Sequence, residues 1–143
     1  MPWNQYIEFV GNHSLLFVAF FAVLILLIVI ELRARFSGMK SIGATQATLL
    51  SNRSDALFLD VREDADFRAG HIPEAVHIPL KHLSDRAGEL DKYKARPVIA
   101  YCRSGNQSSA VGGILKKRGF ENLYNLQGGI TAWQSANLPL GRD

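Results

Sequence analysis

Residues 97–118 read PVIAYCRSGNQSSAVGGILKKR. Pro97 to Tyr101 is a short, unbroken apolar run, the pattern of a strand covered on both faces, with Pro tolerated at its first position. From Gln107 to Arg118 the apolar residues Ala110, Val111, Ile114 and Leu115 recur at helical spacing, with Gly119 as a C-terminal cap. In open α/β sheets, ligands bind beyond the carboxyl ends of the strands, where a loop enters the next helix. The loop at that place is Cys102-Arg103-Ser104-Gly105-Asn106-Gln107, and it holds the single cysteine of the chain.

The same alternation continues on either side. Thr45 is placed to cap a helix running to about Asn52, with Ala47, Leu49 and Leu50 facing inward. Ala56 to Val61 is a second buried-strand run, and Val76-His77-Ile78, closed by Pro79, a third. Leu80 to Leu90 has helical spacing broken by Gly88. Leu123 to Leu126 forms a last short strand and Ile130 to Ser135 a last short helix. Strands alternating with helices predict an α/β domain, a mainly parallel sheet with helices on both faces.

Leu15 to Ile30 contains no polar residue, and its flanks extend it towards the roughly 20 residues that cross a bilayer core. A core helix of so small a domain would carry a polar face, and a signal peptide would open on Lys or Arg and close on a small-residue cleavage site. Neither pattern is present. The expectation is one retained transmembrane helix over about residues 14–32 within an N-terminal segment 1–36, a linker at 37–41, and the α/β domain at 42–143.

All 16 Lys and Arg residues lie after Leu32, and Arg33, Arg35 and Lys40 are nearest the apolar run. Positive charge beside a span is kept on the cytoplasmic side. The chain is therefore expected to be a single-pass protein of the inner (plasma) membrane, N-terminus outside and C-terminal domain cytoplasmic. Eleven of the 13 acids lie in the same stretch, leaving an excess of five positive charges spread along the sequence. That excess suits anionic lipid headgroups and lacks the clustering of a nucleic-acid binder. One cysteine cannot form an internal disulfide, which agrees with a reducing compartment. His13, His71, His77 and His82 lie singly, so no metal site is expected.

A loop wrapped at a helix N-terminus turns backbone N–H groups towards one point, and the helix dipole adds partial positive charge. An anion is the natural occupant, and the same field favours the thiolate of Cys102, the nucleophilic form. Arg103 adds a nearby cation, and Gly105 can adopt positive φ or let the backbone approach a ligand. Polar, basic and permissive neighbours are the wrong setting for a cysteine that only packs.

From about Ser41 to the end, the chain resembles the rhodanese homology domain. Three segments carry the resemblance: Leu59-Asp60-Val61-Arg62-Glu63 leading through Phe67 to Gly70-His71-Ile72-Pro73-Glu74-Ala75; Cys102 to Ser108; and Gly128-Gly129-Ile130 followed by Trp133. The resemblance implies a sulfurtransferase without metal or cofactor. Cys102 would be the nucleophile and the backbone of Arg103, Ser104, Gly105, Asn106 and Gln107 the substrate cradle. The thiolate would take the outer sulfur of thiosulfate or of a low-molecular-weight or protein persulfide, then pass it to a thiol or cyanide. Many active members have Arg where this chain has Gln107, and an amide lacks the fixed charge.

Asp60 and Arg62 are expected to support the same rim, Arg62 bonding loop carbonyls or Asp60. His71 reads as a structural imidazole, Trp133 as core packing, and Lys116-Lys117-Arg118 as a solvated helix end. Cell-cycle tyrosine phosphatases resemble the fold, but their loop is one residue longer and has Arg at the position of Ser108. Rhodanese-like domains also serve as non-catalytic adaptors, so the alternative is a module that binds membrane-protein partners.

Overall fold

The computed structural model describes residues 2–36 and 38–142, with the side chains of all of these except 34–36 and 108–109. Met1, Ser37 and Asp143, which end the expected segments, lie outside the described residues. The chain divides into two compact units, Met1–Phe36 and Ser37–Asp143.

The first unit holds α1 (Trp3–Asn12) and α2 (Ser14–Phe36). The sequence reading assigns no element to the residues of α1. His13 separates the two helices with φ −120° and ψ 25°, and its backbone N–H is still held by the carbonyl of Phe9 at 3.2 Å. Within α2, Ser14–Arg33 is 20 residues of apolar helix, none of it buried in the structure. At 1.5 Å per residue it is about 30 Å long, enough to cross a bilayer, and a signal sequence can share that length and character.

The second unit runs β1 (Lys40–Ile42), α3 (Ala44–Ser54), β2 (Leu57–Asp60), α4 (Asp64–Ala69), β3 (Val76–His77), α5 (Leu80–Arg86), a 3-10 helix (Ala87–Tyr93), β4 (Val98–Tyr101), α6 (Ser108–Lys117), β5 (Leu123–Leu126) and α7 (Gly129–Ser135). The strands form one sheet in the order β1-β5-β4-β2-β3, and every pairing is parallel.

Alternation along the strands separates two cores. Leu57, Leu59, Val98 and Ala100 face α5, the 3-10 helix and α6, where they meet Leu83, Leu90, Val111 and Leu115. Phe58, Ile99, Tyr101 and Leu126 face α3 and α7, packing on Ala47, Ile130 and Trp133. A side-chain period of two turns a continuous apolar run into two buried faces. The α/β fold with helices on both faces is as the sequence predicts.

Four local expectations are corrected. The end of the expected linker is β1, whose register sets Lys40, Ser41 and Ile42 beside Tyr124, Asn125 and Leu126. A three-residue strand with two exposed residues has too little apolar pattern to be read from sequence. Thr45 lies inside α3, whose N-cap is Gly43, and Leu49 is 46% exposed, so only Ala47 of the three named residues is fully buried. The break read at Gly88 falls two residues earlier, where α5 ends at Arg86, and Gly88 lies in a tighter 3-10 turn that still buries Leu90. At the far end of α6 the cap is Arg118, and Gly119 follows it at φ +90°.

Candidate active site

Cys102 directly follows the carboxyl end of β4, and the next five residues lead to α6. It is 2% exposed and belongs to the core between the sheet, α5 and α6, yet it also lines a cleft of about 680 Å³. Its Sγ accepts a hydrogen bond from the backbone N–H of Gly105 at 2.9 Å. That turn needs Gly105 at φ +88°, and a Cβ there would lie 3.2 Å from the nitrogen of Gly128. Glycine serves both conformation and close approach.

The loop is held from behind by β5 and α7. Ile130 N–H donates to the carbonyl of Cys102 at 2.9 Å, and the Thr131 hydroxyl donates to the carbonyl of Arg103 at 3.0 Å. Gly129, at φ +57°, lies so close that a Cβ would collide with the Cys102 carbonyl and the Arg103 backbone. The amide of Asn125 donates to the carbonyl of Gly105 at 3.5 Å. Sequence reasoning names the Gly128-Gly129-Ile130 motif without giving it this clamping contact, and it misses Thr131 and Asn125.

Arg103, Ser104, Asn106 and Gln107 all line the cleft and are exposed. Gly105 stands just behind them, half-buried. Gln107 occupies the N-cap of α6 with no side-chain cap bond. Arg103 ion-pairs with Asp66 of α4 at 3.0 Å, so its charge is already matched. Lys81 of α5, which the sequence does not single out, completes the mouth by reaching Glu63 of the Leu59–Glu63 segment at 2.8 Å. The hydrogen bond to Glu63 and its negative charge hold the Lys81 ammonium above its ordinary pKa.

Arg62 also lines the cleft, but Asp60 lies fully buried beneath it and not on the rim. The guanidinium contacts both oxygens of Asp60, the shortest bond being 2.7 Å, and donates to the carbonyl of Gly70 at 2.7 Å. Burial acts most strongly on Arg62 and pulls its pKa down, but the Asp60 hydrogen bond and charge together exceed it and leave the pKa raised. Tyr101 closes the cluster, its oxygen accepting the N–H of Ile72 at 3.1 Å. Burial first, and the Asp60 carboxylate second, push the Tyr101 hydroxyl far up, so it stays neutral.

Two of the histidines that look isolated in sequence are brought together. His71 and His77 stack on opposite sides of Phe67, with ring centroids 3.9 and 4.3 Å away. His71 Nδ1 lies 3.0 Å from the carbonyl of Phe67, and His77 Nε2 lies 2.8 Å from that of Arg62. Both imidazoles brace the segment between β2 and β3. Trp133 is 4% exposed and donates its indole N–H to the carbonyl of Pro139 at 2.9 Å.

A parallel sheet with a cysteine in a tight loop between strand and helix sets a thiol, bonded by the Gly105 N–H, at the carboxyl edge of an α/β domain. Residues 44–136 match the family model of the Rhodanese-like domain, and the chain belongs to that family. It is 36% identical over 140 residues to the uncharacterized protein YibN of Escherichia coli K12, covering 97% of this chain and 98% of that protein. A sulfurtransferase of Allochromatium vinosum is 36% identical over 64% of this chain and 83% of its own length. The thiosulfate sulfurtransferase GlpE of Pseudoalteromonas translucida is 30% identical over 68% of this chain and 90% of its own length. Among solved structures, a rhodanese-related protein from Thermoplasma volcanium superposes with a TM-score of 0.65 at 26% identity, covering 73% of this chain and 99% of that one.

Proposed function

We propose that this chain is a membrane-anchored sulfurtransferase that carries sulfane sulfur as a Cys102 persulfide. The observation that carries the reading is the Sγ of Cys102 at the cleft, hydrogen-bonded by Gly105 N–H at 2.9 Å in a loop between strand and helix. The Cys102 thiolate attacks the outer sulfur of the donor. With thiosulfate, the S–S bond breaks, sulfite leaves with the bonding pair, and Cys102 becomes a persulfide anion. With an alkyl persulfide, the leaving group is the donor's own thiolate. An acceptor such as cyanide or a thiolate then attacks the terminal sulfur and restores the Cys102 thiolate. Both displacements are redox-neutral, and one cysteine serves them. Backbone N–H groups of the loop steady the anionic sulfur as an oxyanion hole steadies oxygen.

The charge pattern of the mouth favours a persulfide over thiosulfate as donor. Each cation among the described lining residues is matched: Arg62 by Asp60, Lys81 by Glu63 and Arg103 by Asp66. A dianion finds no unpaired cation there. Related sulfurtransferases support the reaction class, and the likeness to YibN along nearly the whole length supports treating helix and domain as one architecture. The α2 helix is the proposed inner-membrane span, with the domain on the cytoplasmic side.

Intact mass after incubation with thiosulfate, and separately with an alkyl persulfide, tests the proposal. One added sulfur, removed by cyanide and absent in Cys102→Ser, is the expected result. No added sulfur from either donor would return the domain to the adaptor reading.

A further inference from the structure

The positive excess that is spread along the sequence is gathered at one edge in space. Because every strand is parallel, all strand amino ends share the edge opposite the Cys102 loop. Lys40 opens β1, Arg53 ends α3 as it returns to β2, and Lys116 and Lys117 end α6 as it returns to β5. All four are exposed, and among the described residues they make no ion pair. Cations also crowd the turn before β4, where Arg96 reaches Asp55 and Arg118 and Lys94 share Asp91. Asp55 and Asp91 are already occupied by those arginines and by Lys94, and Glu121, just before β5, is a further acid on this edge. At the carboxyl edge, by contrast, the cleft's cations are each balanced by a carboxylate.

The chain enters the domain at this basic edge. Gly38 packs against the side chain of Lys116, and Met39 joins the core below. Arg33 ends the apolar segment, and five residues on, Gly38 is already part of the domain. The chain that follows α2 thus joins the domain at its basic edge.

We infer that the amino edge of the sheet, carrying Lys40, Arg53, Lys116 and Lys117, docks on the anionic lipid headgroups of the leaflet, so that the Cys102 cleft opens away from the bilayer. The inference rests on α2 being the membrane span. Its consequence is that sulfur donor and acceptor reach Cys102 from the aqueous side, not through the membrane face. Anionic headgroups attract such clusters beside a span, and salt weakens the attraction.

The test uses the full chain in nanodiscs of phosphatidylcholine, with or without phosphatidylglycerol, and amine-acylation rates read residue by residue by mass spectrometry. Lys116 and Lys117 should react about fivefold more slowly in the anionic discs, Lys81 at the cleft should be unchanged, and high salt should erase the difference. Equal rates in both lipids, or protection of Lys81 in place of Lys116 and Lys117, would overturn the docking. A chain that fails to co-migrate with either disc would instead overturn the span beneath it. Protection of Lys116 by added duplex RNA in neutral discs, with none from phosphatidylglycerol, would reassign the edge to nucleic acid.

Discussion

Arg62 and Asp60 show how a polar pair is held in a small core. Asp60 is fully buried and Arg62 is 8% exposed, and the guanidinium satisfies both the carboxylate and the Gly70 carbonyl. Arg62→Leu takes the guanidinium from a buried carboxylate, which keeps the backbone N–H of residue 62 at 2.9 Å, and from the Gly70 carbonyl, a loss of about 3–5 kcal/mol. Urea unfolding in detergent should show it, whereas a loss under 1 kcal/mol, measured against the roughly 0–1 kcal/mol of exposed pairs, would mean the cluster contributes little. Gln107 makes the opposite case. It is exposed at the cleft and caps nothing, so Gln107→Arg adds a cation where the others are already matched. KM for thiosulfate should fall about two- to fivefold, with the persulfide donor little affected; an unchanged or higher KM would remove charge as the reason for a weak thiosulfate site. The identities of Cys102, Asp60, Arg62 and Gln107 are readable from sequence because the first three lie at the ends of apolar runs and Gln107 opens the helical pattern after the cysteine loop. Asp66 and Lys81 are not, since nothing local says that α4 and α5 bring them to the same mouth as Glu63.

At the scale of elements, the cysteine loop is a joint product of β4, β5 and α7. Gly129 lets the β5–α7 turn press on the Cys102 and Arg103 backbone, and three bonds from Ile130 and Thr131 fix it there. Gly129→Ala should therefore cut the rate of Cys102 sulfur loading at least about tenfold, since a displacement of an ångström at a reacting group carries such a cost. Far-ultraviolet circular dichroism of the same variant should stay near wild type; a wild-type loading rate would show that the turn can retreat without moving the sulfur. The apolar strands β2 and β4 were legible as unbroken buried runs, and α6 by its helical periodicity. Weaker signals failed: β1 has only three residues, α4 six, and neither has enough pattern to stand out. Pairing with β5 holds β1, and the stacking of Phe67 between His71 and His77 holds α4, where local propensity does not.

For the whole molecule, the proposed topology makes a direct prediction. A membrane-impermeant maleimide should leave Cys102 unlabelled in intact cells and label it once the cells are opened; labelling in intact cells would reverse the orientation of the domain. The sequence by itself determined the apolar helix, the alternation that yields a parallel sheet, the cysteine loop and its family, because all of these are written in short-range periodicity and in contiguous motifs. The tertiary structure alone decided which charges meet. Parallel strands sort every loop to one of two opposite edges, so residues tens of positions apart, such as Lys40, Arg53 and Lys116, share the amino edge. The same topology places Glu63, Asp66 and Lys81 around Cys102 at the other. Charge interactions depend on distance in space, and a linear sequence records only distance along the chain.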